Sequence, residues 1–293
     1  MSVIIVLILL LSIYLFEYFS IKKLLPKEIS RKFLHIIAGT VALVAINLIN
    51  DYSFLIAAGL IASLSTFYAI KKNLISGIEI QHRKSWGIFY FCLSFTLLII
   101  FWFEKNYWII NVAFALMVYA DSLAAIVGTI SGKKSYRLSS DPKTYLGSFV
   151  FFIVSIIILA IFAKNLSYQL FFTFDAITIL LIISVAFTLT IVEAISSKGF
   201  DNFSVPIIAS ILIYFLFFIG SEELIIYFII AVGLGIAISL ISLKFKFLKK
   251  SGAAATFLLA TFVFGFGGFK WTIPILTFFR SEEHTSELQS RHN

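Results

Sequence analysis

Residues 119–148 read YADSLAAIVGTISGKKSYRLSSDPKTYLGS, and this stretch decides how the rest of the chain is understood. It starts inside one apolar segment and ends at the beginning of the next. Asp121 stands where an apolar residue is expected. An ionisable group at membrane depth costs roughly 2.5–3.5 kcal/mol on insertion scales, so such a residue usually faces a protein interior, where it either has a function or pairs with a lysine for structure only. Ala124, Ala125 and Gly128 follow on one helical face and allow another backbone or a ligand to approach closely. A polar loop with Lys133, Lys134, Arg137 and Lys143 comes next, then Gly147 and Ser148. A carboxylate beside a cationic, glycine-containing loop suits a metal-bound polyphosphate.

Working outward, 60% of the 293 residues are hydrophobic and only 13% are charged, against about 25% charged in a soluble domain. Apolar runs long enough to cross a bilayer recur along the chain. The expected fold is an all-α polytopic membrane bundle of about ten transmembrane helices, near 3–20, 33–49, 53–70, 86–103, 107–127, 146–163, 175–192, 203–219, 223–243 and 253–279. The formal charge of +8 does not indicate nucleic acid, because the basic residues sit in short loops between spans. The single cysteine, Cys92, excludes an intrachain disulfide and a cysteine-cluster metal site. The first apolar segment lacks a basic lead and a cleavage site, and it reads as a retained span.

Loops rich in lysine and arginine alternate with poor ones. The positive-inside rule then puts the odd-numbered loops in the cytoplasm and the N-terminus outside. Asp121, Asp141, Glu193, Asp201 and Asn202 fall on the cytoplasmic side, with His35, His82, Arg83 and Lys84. One site is expected there, facing the compartment that holds nucleoside triphosphates. A bacterial inner membrane is the expected location.

Each motif has a functional and a plainer reading. Arg31 and His35, one helical turn apart, can meet a phosphate, or Arg31 and Lys32 can merely anchor topology. His82, Arg83 and Lys84 can bind phosphate or form a solvated basic loop. Thr144, Gly147 and Ser148 open a helix whose free amides can hold an anion, or the hydroxyls can simply cap it. Glu193 leaves one span, and Asp201 and Asn202 enter the next after a glycine turn. They are oxygen ligands opposite Asp121, or surface caps.

Taken together, ADSLAAIVG, the GKK loop, the KTxxGS pattern and E…DNFSVP, preceded by RKFLHI and KSWGIFYF, resemble the CTP-dependent polyprenol kinases, which are related to phosphatidate cytidylyltransferases. The resemblance covers about residues 1–218. It implies that Asp121 ligates Mg²⁺, with Asp201 as the second metal residue. It also implies that Lys133, Lys134 and Lys143 meet the phosphates of CTP, and that Asp201 and Asn202 line the catalytic centre. Asp201 or Glu193 would accept the proton of the alcohol. Leu146 departs from the pattern, standing where the family usually carries glutamate. The implied reaction is transfer of the γ-phosphoryl of CTP or another nucleoside triphosphate to a long-chain isoprenoid alcohol in the bilayer. Cytidylyl transfer to phosphatidate and a non-enzymatic carrier are the rival readings.

Residues 225–279 resemble the start of a second membrane family, the one that includes the plant phytyl-phosphate kinase. The expected division is therefore 1–218, then a truncated second membrane domain at 219–279. Residues 280–290, RSEEHTSELQS, match the in-frame translation of a common sequencing adapter, so 280–293 are set aside as an artefactual tail. The natural chain is expected to continue past this point.

Overall fold

The computed structural model describes residues 27–49, 51–72, 86–170 and 175–291. The first expected span, and His82, Arg83 and Lys84, lie outside the described residues. Among the described residues, nine helices are long and apolar enough to cross a membrane, and they coincide with the second to tenth expected spans. The protein is an all-α polytopic bundle, integral to the membrane.

The helices are α1 (Lys27–Leu48), α2 (Tyr52–Lys71), α3 (Gly87–Glu104) and α4 (Asn106–Ser131), then α5 (Tyr145–Leu170) and α6 (Ala176–Ile195). They continue as α7 (Asp201–Phe218), α8 (Glu222–Lys244) and α9 (Lys250–Arg291). Their ends follow local chemistry. Asp51 accepts from the Ser53 and Phe54 amides at 3.0 and 3.3 Å, Asp175 from Thr178 at 2.9 Å, and Ser221 from Leu224 at 3.2 Å. Each satisfies donors that a first helical turn leaves free. The extended backbone of Asn106 (φ −169°, ψ 98°) separates α3 from α4.

The chain forms two compact units, Met1–Phe218 and Ile219–Asn293. In the first, a short antiparallel pair, β1 (Ser135–Tyr136) and β2 (Lys143–Thr144), folds the polar loop back to the start of α5, with Tyr136 opposite Lys143. The small face of α4 meets α5 as its residues suggested. A Cβ placed on Gly147 would lie 3.0 Å from the Ala124 carbonyl and 3.6 Å from the Gly128 Cα, so the two backbones are already in contact. In the second unit α8 packs along α9, where a Cβ on Gly265 would come 3.1 Å from the Phe228 ring. Gly268 bends α9 with φ 52°, a conformation that favours glycine.

Candidate active site

Residues 116–121 of α4 form a π-turn that ends on Asp121. A π-turn inserts an extra residue into the helical register and so re-aims the side chains beyond it. Here it leaves Asp121 buried, 2% exposed. Glu193, in the last turn of α6, is buried as well, and Asp201 begins α7. Carboxylate oxygens of Asp121, Glu193 and Asp201 lie within 4.8 Å of one another. Two like charges about 5 Å apart repel by roughly 3 kcal/mol at an effective dielectric of about 20. The cluster therefore needs cations.

Two lysines supply them. Lys143, from β2, donates to Glu193 Oε1 and, at 3.1 Å, to Asp201 Oδ2. Burial acts to lower its pKa, but the attraction of Glu193, Asp201 and Asp121 outweighs it and holds the ammonium well above the usual lysine value. Lys32, from α1, donates to Asp121 Oδ2. Three carboxylates against two ammonium groups leave a formal charge of −1.

Among the buried polar atoms of the described residues that have no hydrogen-bond partner are Glu193 Oε2 and Asn202 Oδ1. The Asn202 amide is held by its other end, where Nδ2 donates to the Gly87 carbonyl at 2.9 Å. Both Asp201 oxygens are engaged, since Oδ1 accepts from the Asn202 amide at 3.1 Å. An unpaired buried acceptor costs about 1–3 kcal/mol, so such groups call for a ligand or a proton. The donor set contains only oxygen, which is the chemistry of a hard divalent cation.

The turn between α6 and α7 sets where Asp201 and Asn202 point. Lys198 and Gly199 have φ 55° and 83°, a left-handed turn. Both sides of Lys198 are latched to other segments. Its amide donates to Asp141 Oδ2 at 2.6 Å, and its carbonyl accepts from the Trp86 amide at 3.2 Å.

The remaining sequence candidates take other positions. Arg31 pairs with Glu28 at 2.8 Å. His35 lies against Met117 Sδ at 3.0 Å and edge-on to Phe91. Lys133 and Lys134 are exposed on the loop. Thr144 caps α5 by accepting from the Gly147 amide at 3.0 Å, and Ser148 bonds Tyr136. Gly147 is buried in the α4–α5 contact, while Leu146 is 38% exposed. Arg83 and Lys84 lie outside the described residues.

The chain is similar to a phytol kinase. The relative, from Synechocystis sp., is 29% identical over 183 residues, which span 62% of this chain and 76% of that protein. The likeness supports a relationship to the polyprenol and phytol kinases. No family model matches the chain, and no solved structure does.

The sequence pointed to all three clustered carboxylates and to Lys143, but treated Lys32 as an anchor only. A signal for it existed. Ile29, Lys32 and Gly39 lie at helical spacing and form one buried stripe of α1. Arg31 is off that stripe.

Proposed function

We propose that this protein is a membrane lipid-alcohol kinase, moving the γ-phosphoryl of CTP or another nucleoside triphosphate to a long-chain isoprenoid alcohol at the cytoplasmic face. The observation that carries the reading is the cluster of buried Asp121 and Glu193 with half-buried Asp201, bound by two lysines and left with open oxygen acceptors. The similarity to a phytol kinase supports the same class of acceptor.

Asp121, Asp201 and Asn202 Oδ1 are the residues that would hold Mg²⁺. What the bound ion supplies is neutralisation of phosphate charge on the nucleotide. Lys143 keeps Glu193 and Asp201 together and presents a permanent positive charge to a phosphate. Lys133 and Lys134, solvated on the loop, meet the distal phosphates as they arrive. Glu193 Oε2 has no partner among the described residues whereas both Asp201 oxygens are engaged, which favours Glu193 over Asp201 as acceptor of the alcohol proton. The alcohol oxygen bonds to the γ-phosphorus, and the bond from that phosphorus to the bridging oxygen breaks. The nucleoside diphosphate leaves. Burial of the cluster keeps water from competing as the phosphoryl acceptor.

The test uses membranes that express this chain, γ-³²P-labelled CTP or ATP, and phytol, geranylgeraniol, undecaprenol or diacylglycerol. Label in an extracted prenyl phosphate is the expected result. Label on diacylglycerol alone would replace the prenol by another lipid alcohol. Lipid labelled only from α-³²P-CTP and phosphatidate would overturn the kinase reading in favour of cytidylyl transfer.

A further inference from the structure

We propose that Lys32 is a positioning residue of the carboxylate centre: it holds Asp121 toward Glu193 and Asp201 and sets the net charge that a metal and a polyphosphate meet. The use made of the centre rests on the kinase reading. The geometry does not.

The two basic residues at the start of α1 behave differently. The Arg31 side chain is 25% exposed and pairs with Glu28 on its own helix. Its bonded partner is the neighbouring Glu28, and Asp121 and Asp201 act on it only at longer range. The Lys32 side chain is 7% exposed and donates to Asp121, 89 residues away. Orienting a span requires positive charge near the interface and does not require burial. A buried ammonium is costly unless paired, so the position of Lys32 reflects its partner.

That partner is the carboxylate Lys143 does not bond. Lys143 bonds Glu193 and Asp201, and Lys32 bonds Asp121. Removing Lys32 takes the cluster from −1 to −2. A divalent cation is then attracted more strongly and also loses a competitor for Asp121 Oδ2. A polyphosphate is repelled more strongly, and Asp121 loses the contact that directs it. Tighter metal binding together with poorer nucleotide use is a signature that a merely structural lysine does not produce.

The experiment compares this chain, purified, with its K32M, K32Q and K32M/F33K variants. Phe33 is 49% exposed, so F33K returns positive charge to the membrane surface without returning the buried ammonium. Binding of Mn²⁺ is followed by electron paramagnetic resonance without nucleotide or lipid, and turnover is measured separately. Phosphorylation of lipid by the wild type tests the kinase reading, and the Mn²⁺ titration tests Lys32 whichever way that result falls. K32M should bind Mn²⁺ at least about tenfold more tightly and show a nucleotide KM raised about tenfold or more, with kcat reduced. F33K should reverse none of this. K32Q keeps a donor for Asp121 and is read in place of K32M if that variant does not fold. Mn²⁺ affinity within about threefold of wild type, full recovery in K32M/F33K, or no Mn²⁺ binding by the wild type would overturn the proposal. Failure of both K32M and K32Q to fold would also overturn it, by assigning Lys32 to the scaffold.

Discussion

Four lysines of this protein form two groups that look alike on paper. Lys133 and Lys134 are exposed on the loop between α4 and β2, whereas Lys32 and Lys143 are sunk onto carboxylates. The exposed pair remains hydrated, and its charges are screened by salt. The buried pair has exchanged water for fixed partners, so each lysine is committed before any ligand arrives. A charge that captures a phosphate can stay in solvent. A charge that holds three carboxylates together cannot.

The largest expected effect lies in the buried group. D121N should lower lipid phosphorylation by about 10³-fold in membranes with normal protein content. Full activity in D121N would remove the carboxylate centre from the mechanism. Chelation of divalent ions should abolish turnover in the wild type, and added Mg²⁺ should restore it, as a phosphotransfer assay before and after EDTA will show.

K143M should come next, with a loss of about 10²-fold accompanied by a lower melting temperature, since buried Glu193 and half-buried Asp201 lose their cation. If the loop lysines matter as solvated charges, K133M/K134M should raise the nucleotide KM by about tenfold with little change in kcat. That difference should shrink as salt is raised. A salt-independent loss would place them with the buried group. The smallest effect belongs to T144A, which removes the α5 cap and should lower unfolding free energy by about 1 kcal/mol in a thermal melt.

Much of the centre was readable in advance, and the reasons are particular. Asp121 stands out because nothing else in its apolar run is charged. Glu193, Asp201 and Asn202 stand out because they bracket one short turn between two spans. Lys143 was one of four basic residues in the loop, and the register of β1 with β2 selects it by carrying it to Glu193. Lys32 was hidden by its neighbour. Arg31 and Lys32 are equivalent to a topology rule, and helix phase alone separates them. Thr144 and Ser148, expected as anion ligands or caps, have their hydroxyls engaged by the Gly147 amide and by Tyr136.

Composition was enough to require membrane-spanning helices, because an apolar backbone segment in lipid must satisfy its own hydrogen bonds. Hydropathy was enough to place nine described helices, and the loop charges gave their expected sidedness. The pairing of cations with carboxylates had a different origin. It joins residues 89, 50 and 58 positions apart, through a π-turn in α4, a two-residue strand pair and a left-handed turn before α7. No local preference relates such distant residues. Packing of the helices brings the like charges together, and the cost of leaving them unpaired selects the lysines that join them.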